Sequence, residues 1–490
     1  MADSEIVFRS ASDLAALLKT RKLSPVEVVR AYLDRIDAVD PRVGAFITVT
    51  RERALAQAEQ AERQIGAGRY RGPLHGLPYA TKDMIATKGI RTTNGSKITS
   101  DWIPAYESTI TARLNDAGAI LIGKLHLVEF AMGTHLHAPF GLARNPWHLD
   151  YSPSGSSSGS GAAVAARMTP LAIGTDSGGS IRKPANSCGI VGLKPTYGRV
   201  SRFGVTALSW TLDHAGPMTN TVADNAILLQ TIAGADPHDA TAAAEPVPDY
   251  TKALTGNVKG LRIGVPTAYF FDGIDTETAA AVHRALATLK ERGAVLVDVS
   301  VRNIELAGPA AAIIRLSEAA SFHEKRLNEQ AETFEPRVRQ NLEAGTFYSA
   351  VDYIKALRLR TVLMEEMRRV FGVCDVMAVP ASNPAPRLDA EATRSGSTSK
   401  PPPAPDTFDL GNMTGIPAIV QPCGFTTGPP VLPVGIQFYG KPFDEATLFR
   451  VSHAYESATD WHTRRPPLAG TAAAAKTYVP ESAAFRRMNI

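Results

Sequence analysis

Cysteine, long apolar runs and dense basic runs are all scarce in this 490-residue chain, and each scarcity argues against a class of protein. The three cysteines stand far apart without CxxC spacing, which argues against a disulfide framework and favours a reducing compartment. No apolar run reaches about 18 residues, so we expect no membrane-spanning helix and no membrane partner. The net charge is only +4 without a cluster of lysine and arginine, which argues against nucleic-acid binding.

The first residues also lack the basic and apolar segments of a secretory signal, so we expect a cytoplasmic protein. Hydrophobic residues make up 44% of the chain and charged residues 20%, which is typical of a soluble globular protein. This length allows one large α/β domain or two to three ordinary domains.

Seven short apolar runs alternate with helical patterns after Pro73. Such runs are typical of strands buried on both faces, and they predict a layered α/β fold. Before them, a capping box at Ser24–Glu27 predicts one helix, and the alanine- and glutamate-rich segment 51–68 predicts another. The runs are LPYAT, AILIG, PLAIG, LRIGVP, AVLVDV, DVMAVP and PAIVQP.

The segment GTDSGGSIRKP (174–184) places two glycines directly before a serine. Consecutive glycines let the backbone approach another group closely, and successive N–H groups at such a turn can form an oxyanion hole. Ser180 would then be a nucleophile beside the N–H donors of Ser177, Gly178 and Gly179. An ordinary glycine turn after a strand is the alternative.

A second segment, SPSGSSSGSGAAVAARM (152–168), allows three interpretations. It could be a flexible linker, or a phosphate-binding loop, although it lacks the lysine of GxxxxGK[ST]. It also contains G-x-S-x-G at 155–159, which would make Ser157 the nucleophile of an α/β-hydrolase. That motif needs a strand directly before it, and ARNPWHLDYSPS is a poor strand.

A nucleophilic serine also needs a base, and eleven histidines are available. None stands in a distinctive context. His135 and His137 alternate like two metal ligands, but no third ligand is evident, so we expect no metal and no other cofactor. Lys82 ends an apolar run, and burial there would lower the pKa of its amine toward neutrality. An ordinary lysine at a strand end is the alternative.

Three motifs in this order and spacing resemble those of the amidase signature family. The resemblance covers most of the chain and is strongest between about 73 and 220. It implies the amidase signature fold, with a large mixed, mostly parallel central sheet covered by helices on both faces. The matching segments are GLPYATKD (76–83), GAILIGKLHLVEFAMG (118–133), NPW (145–147), PSGSSSGSGAAVA (153–165), GTDSGGSIRKPA (174–185), GIVGLKPTYGRVSRFG (189–204) and GIPAIVQPCG (415–424).

The resemblance implies that Lys82, Ser156 and Ser180 form a catalytic triad. The family's middle serine follows a cis peptide bond and stands 24 positions before the nucleophile, which identifies Ser156. Neutral Lys82 would accept the proton of Ser156, and Ser156 that of Ser180 during attack. Ser156 would then protonate the departing nitrogen, and water would release the acyl-enzyme.

Other family positions fall on residues that would brace this triad or line the substrate pocket. The chain departs from the family where Ser154 replaces a glycine and Ser158 stands at a frequent glycine. The bracing residues are Ser157, Asp176 and Arg182, and the pocket residues are Met132, Gly133 and Thr134.

The resemblance also suggests a division of the chain. We predict an N-terminal helical region at 1–70, an amidase signature core at 71–225 and an α/β extension with pocket-shaping loops at 226–410. Strands, a helix and a tail of the same domain follow at 411–490. Two stretches, 235–250 and 394–406, are rich in proline and predicted to be loops.

The favoured interpretation is a free-standing amidase, a monomer or homodimer acting on small amides, anilides, carbamates or esters. One family branch, the A subunit of glutamyl-tRNA amidotransferase, takes ammonia from glutamine and carries an arginine for the glutamine carboxylate. The matching positions here are Gln340 and Asn341, and neither Asp406 nor Asp409 aligns with that branch's acidic residue. Such a subunit remains the alternative, as does an esterase with Ser157 as nucleophile.

Overall fold

The computed structural model of the chain describes residues 3–134, 138–389 and 406–468. The histidine pair at 135 and 137 lies outside the described residues, as does almost all of the predicted loop at 394–406.

Eleven strands of the described ranges form one sheet, in the order β1-β3-β2-β4-β6-β5-β10-β11-β9-β7-β8. Strands from all four predicted regions join this sheet, and the boundaries between the regions stay predictions. The strands are β1 (Phe46–Val49), β2 (Pro78–Lys82), β3 (Ile120–Leu125), β4 (Leu171–Asp176), β5 (Val191–Lys194), β6 (His214–Thr219), β7 (Arg262–Pro266), β8 (Val295–Val299), β9 (Val376–Pro380), β10 (Ala418–Phe425) and β11 (Pro433–Gly440).

Helices pack around this sheet. The α-helices are α1 (Asp3–Ile6), α2 (Ala11–Lys19), α3 (Pro25–Val43), α4 (Arg51–Gly66), α5 (Thr109–Asp116), α6 (Ser158–Ala165), α7 (Arg182–Cys188), α8 (Val222–Ile232), α9 (Thr276–Glu291), α10 (Ala307–Gln330), α11 (Pro336–Phe347), α12 (Ala350–Val373), α13 (Asp409–Thr414) and α14 (Glu445–Glu456). Short 3₁₀ helices span Lys97–Thr99, Glu129–Ala131, Tyr250–Ala253, Ile304–Leu306, Ala331–Thr333 and Trp461–Thr463. None of the helices in the described ranges is both long and apolar enough to cross a membrane.

The predicted large mixed sheet is confirmed, but its strands are not mostly parallel. Six of the ten neighbouring pairs are antiparallel: β1–β3, β4–β6, β5–β6, β5–β10, β10–β11 and β9–β11. The connection between β10 and β11 explains one of them, because it spans only 426–432. A parallel neighbour would need a crossover of a dozen residues or more.

All seven predicted apolar runs form strands, and both predicted helices form, as α3 and α4. At the start of α3, the Glu27 N–H donates to Ser24 Oγ at 3.1 Å, and the Ser24 N–H donates to Glu27 Oε2 at 2.7 Å. The capping box is therefore confirmed. Sequence reasoning missed β1, β5, β6 and β11.

The centre of the sheet is covered on both faces, because every residue of β2, β4 and β6 is buried. Strands β2 and β4 are parallel neighbours, with Thr81 opposite Ile173. Their carboxyl ends therefore meet at one edge of the sheet. Lys82 ends β2 and Asp176 ends β4, so this edge brings two of the three predicted motifs together.

Candidate active site

Lys82 lies at the buried end of β2, where its side chain has no exposure to solvent. Its Nζ donates to Ser156 Oγ and to Thr175 Oγ1, each at 2.7 Å. Burial lowers the pKa of the Lys82 amine to about 7, against the opposing charges of Asp213 and Asp176. Near neutral pH a substantial fraction of this amine is therefore uncharged and able to accept a proton.

Ser156 connects Lys82 to Ser180, although not through two hydroxyl groups. The backbone N–H of Ser156 donates to Ser180 Oγ at 3.2 Å, while its hydroxyl faces Lys82. No hydrogen bond between described residues joins the two hydroxyls, and none joins a histidine to Ser180. Ser180 is half-buried, which leaves it open to a substrate. Catalytic hydrogen bonds often tighten only with substrate bound.

The peptide bond between Gly155 and Ser156 is trans, whereas the resemblance implied a cis bond. Within the described ranges only Pro429–Pro430 is cis. The chain turns here with Ser154 and Gly155 both in the left-handed region, at φ 63° and 58°. After these two residues the Ser156 hydroxyl contacts Lys82 without a cis bond before it.

Ser157 has a structural position rather than that of a hydrolase nucleophile. Its hydroxyl is fully buried, donates to the Thr175 carbonyl and accepts from the Thr175 N–H, both at 3.1 Å. No strand lies between 138 and 157, so the strand–turn–helix context of the elbow motif is missing. Ser157 therefore joins the start of α6 to β4, and the esterase alternative loses its structural basis.

Asp176 and Arg182 flank Ser180 in the sequence and form a fully buried ion pair, with Nε to Oδ2 and Nη2 to Oδ1 each at 3.0 Å. Burial by itself would raise the pKa of Asp176, but Arg182 holds that pKa far below its usual range. Asn412 donates to Asp176 Oδ1 at 3.0 Å and accepts from Arg182 Nη2 at 2.7 Å. This network clamps the two ends of the 177–181 segment.

The 177–180 segment offers fewer free N–H groups than the sequence suggested. The Gly179 N–H donates to Asp176 Oδ1 at 2.7 Å, so it is engaged and cannot also face a substrate in this arrangement. No hydrogen bond between described residues uses the N–H of Ser177, Gly178 or Ser180. The Ser177 hydroxyl donates to the buried carboxylate of Asp213.

Met132, Gly133 and Thr134 are partly exposed and lie against α11 and the residues before it. Asn341 Nδ2 donates to the Met132 carbonyl at 3.4 Å, and the Thr134 hydroxyl donates to Glu335 Oε1 at 3.2 Å. No hydrogen bond within the described ranges joins this segment to the three predicted catalytic residues. Their role in substrate binding stays a prediction.

Sequence reasoning missed Thr175 and Asp213. Thr175 stands beside the predicted Asp176, and a parallel pairing of β2 with β4 would have placed it next to Lys82. Asp213 precedes β6, and no local pattern distinguishes it from other acidic residues.

A cavity of about 1010 Å³ adjoins the 177–180 segment, because Asp213 forms part of its wall. Polar and charged groups line it together with five Trp, Tyr and Phe side chains. The aromatic side chains are Trp102, Tyr106, Phe203, Trp210 and Phe322.

The chain is similar to known proteins over most of its length. Residues 27–449 match the family model described as Amidase. The glutamyl-tRNA(Gln) amidotransferase A subunit of Moorella thermoacetica is 42% identical over 492 residues, which cover 95% of this chain and 99% of that protein.

Two solved structures are similar over almost their whole length. The native peptide amidase from Stenotrophomonas maltophilia superposes with a TM-score of 0.81 at 31% identity, covering 94% of this chain and 98% of that one. The glutamyl-tRNA(Gln) amidotransferase A subunit from Thermotoga maritima superposes with a TM-score of 0.77 at 31% identity, covering 95% and 99%.

Proposed function

The chain belongs to the amidase family and acts on carbon–nitrogen bonds, and we propose that it does so through an acyl-enzyme on Ser180. Neutral Lys82 accepts the proton of the Ser156 hydroxyl, and Ser156 accepts that of Ser180 as its oxygen attacks the carbonyl carbon. Ser156 then protonates the departing nitrogen, and the C–N bond breaks. Water repeats the sequence and releases the acid.

The contact between Lys82 and Ser156 carries this proposal. A buried amine with a pKa of about 7, 2.7 Å from a hydroxyl, can exchange a proton with it at neutral pH. The peptide bond before Ser156 is trans rather than cis as expected, but the contact between Lys82 and Ser156 is present all the same. The relay requires one serine rotation, because the Ser180 hydroxyl meets the Ser156 N–H rather than its hydroxyl.

The negative charge that develops on the substrate oxygen needs donors beside Ser180. We assign that role to the N–H groups of Ser177, Gly178 and Ser180, and we exclude Gly179 because Asp176 accepts its N–H. Asp176 and Arg182 then act as positioning residues, since their network orients the segment that carries these donors.

Replacing the nucleophile tests the mechanism. Ser180→Ala should lower turnover by more than about 10³-fold and abolish covalent labelling by a fluorophosphonate probe, because no other hydroxyl of the triad is open to solvent. Ser157→Ala is the matched control, and it should retain labelling. Labelling that persists in Ser180→Ala and disappears in Ser157→Ala would refute the assignment.

Either a free-standing amidase or the A subunit of an amidotransferase could use this chemistry. The curated relatives favour the A subunit of an amidotransferase, because the similarity spans nearly the whole of both chains. A free-standing amidase is favoured by Gln340 and Asn341, the positions that match that branch's arginine, because both side chains are neutral and Asn341 is bound to the Met132 carbonyl.

Assays of the isolated chain separate these two interpretations. A free-standing enzyme should cleave p-nitroanilides, primary amides, esters or aryl carbamates without a partner. A component of an amidotransferase should copurify with a second protein and release ammonia from glutamine only in that complex. Efficient turnover of an anilide or carbamate by the isolated chain would remove the amidotransferase interpretation.

A further inference from the structure

The Gly178 N–H belongs to a peptide unit whose carbonyl oxygen is held by a side chain. That oxygen is the Ser177 carbonyl, and it accepts from Arg315 Nη1 at 3.1 Å. The peptide bonds of this segment are trans, because the cis bond of the described ranges is Pro429–Pro430. In a planar trans peptide unit the C=O and the N–H point in opposite directions. The Gly178 N–H therefore points away from Arg315, and no hydrogen bond between described residues uses it.

The other two N–H groups that we assign to the substrate oxygen are fixed in the same way. The Asp176 carbonyl shares a peptide unit with the Ser177 N–H, and it accepts from Asn412 Nδ2 at 3.0 Å. The Gly179 carbonyl shares a peptide unit with the Ser180 N–H, and it accepts a backbone N–H of α7 at 2.6 Å. Each of the three free donors is therefore directed by a contact on the opposite side of its peptide unit.

Asp409 holds Arg315 against the Ser177 carbonyl. Its Oδ1 accepts from the same Nη1 at 3.1 Å, and its side chain is 6% exposed against 23% for Arg315. Burial lowers the pKa of Arg315, but Asp409 more than offsets this, so the guanidinium is charged. A charged donor strengthens the hydrogen bond to the carbonyl and polarises the peptide unit, which makes the N–H at its other end a better donor.

Position 178 has to be glycine for Arg315 to make this contact. A Cβ on Gly178 would lie 2.6 Å from Arg315 Nη1 and 3.0 Å from Asp409 Oδ1. Alanine there would push the guanidinium away from the Ser177 carbonyl. Since the φ of Gly178 lies outside the left-handed region, this clash is the main cost of the substitution.

We propose that Arg315 is a positioning residue that aims the Gly178 N–H at the oxygen of the substrate carbonyl. This inference rests on the proposed roles of Ser180 and of the N–H donors beside it. Negative charge develops on the substrate oxygen only during attack, so the contribution of Arg315 belongs to the chemical step rather than to binding.

Fluorophosphonate labelling of Ser180 tests the inference, because the phosphonyl oxygen needs the same donors as a substrate oxygen. Arg315→Met should lower the maximal labelling rate, kinact, by about 10- to 100-fold, somewhat less than the loss of a whole donor. The probe concentration at half of that rate, KI, should stay within about twofold. Arg315→Lys should recover part of kinact, because it restores a charged donor.

The two parameters distinguish positioning from a purely structural role. If Arg315 only stabilised the fold, Arg315→Met would lower the free energy of unfolding in urea and leave kinact unchanged, which would overturn the inference. Lys325→Met is the matched control on the same helix, since its side chain is 84% exposed. It also removes one positive charge, and it should leave both kinact and KI unchanged.

Gly178→Ala is an independent variant, and it serves the test if Arg315→Met does not fold. It keeps the arginine but displaces the guanidinium from the Ser177 carbonyl, so kinact should fall by a similar factor. Gly372→Ala on α12 is its control, because nothing lies within 4 Å of the added Cβ. An unchanged kinact in folded Gly178→Ala would overturn the inference.

The failure of this inference is separable from the failure of the proposed function. Labelling of Ser180 at the same kinact in the wild type and in Arg315→Met overturns the inference alone. A wild type in which the probe does not label Ser180 overturns both the nucleophile and the inference.

Discussion

Two lysines on neighbouring parallel strands are fully buried and yet have different surroundings. Lys82 ends β2, and Lys124 lies on β3 opposite Thr81. Lys124 Nζ stands 3.4 Å from a carboxylate oxygen of Asp83 and donates to the Ile85 carbonyl at 2.7 Å. Lys82 instead meets two neutral hydroxyls, those of Ser156 and Thr175.

This difference in surroundings distinguishes Lys124, which we interpret as structural, from Lys82, the candidate base. Burial lowers the pKa of both amines, and at Lys124 the adjacent Asp83 offsets part of the shift. A carboxylate in direct contact favours the charged form of a buried amine, whereas neutral hydroxyls do so less. Lys124, which belongs to a salt bridge, and Lys82, the candidate base, are thus offset by only one position on the neighbouring strands β3 and β2.

The largest expected effect is on chemistry at Lys82. Lys82→Met should lower the rate of Ser180 labelling by a fluorophosphonate by about 10²- to 10⁴-fold at pH 7, because no base remains for the relay. Lys124→Met is the matched control. A loss below about tenfold in Lys82→Met, in protein that circular dichroism shows to be folded, would contradict the assignment of Lys82 as the base.

A smaller effect is expected on stability at Lys124. Lys124→Met leaves the buried Asp83 without its cation, and the free energy of unfolding in urea should fall by about 3–5 kcal/mol. Adding Asp83→Asn should recover part of this loss, because the pair is then removed rather than broken. If Lys82→Met and Lys124→Met lower the free energy of unfolding equally, the interpretation of Lys124 alone as a structural ion-pair partner is wrong.

The smallest expected effect is the pH dependence set by Lys82. Only the neutral amine accepts a proton, so kcat/KM should rise about tenfold per pH unit below 7 and level off above it. The measurement is a pH–rate profile with a neutral substrate. A profile without this acidic limb would mean that another group is the base.

Stability provides an independent check on the same pKa. Between about 7 and the ordinary lysine value of 10.5, the unfolded chain binds a proton at Lys82 that the folded chain does not. Stability relative to Lys82→Met should therefore rise with pH in that window, by up to about 1.4 kcal/mol per unit. The difference should not change below pH 6, where both states are protonated.

Local sequence was sufficient for the elements that depend on neighbouring residues. The capping box at Ser24 and the seven apolar strands form as predicted because their hydrogen bonds and burial follow from a few adjacent side chains. Strand β6 was missed because Gly216 and Pro217 interrupt its pattern, and it is stabilised by its neighbours β4 and β5. Strand order and direction likewise depend on long-range pairing.

In the candidate site, too, local sequence could not predict which atoms form which hydrogen bonds. The resemblance to the amidase signature family implied Lys82, Ser156 and Ser180 as the triad, and the structure places them next to one another. Spacing did not reveal that the Gly179 N–H donates to Asp176, because the direction of one amide depends on φ and ψ. Nor did it reveal that the peptide bond before Ser156 is trans.

From its sequence alone, the chain specified its family, most of its strands and the three residues that carry the proposed chemistry, since each is written as a short pattern of side chains. Tertiary structure decided what those residues meet: hydroxyls at Lys82, a carboxylate at Lys124 and a guanidinium over Gly178. Proton affinity depends on burial and on charges a few ångströms away. Some of those charges come from positions far away in the sequence, as with Arg315, which lies 138 residues from the Ser177 carbonyl that it contacts.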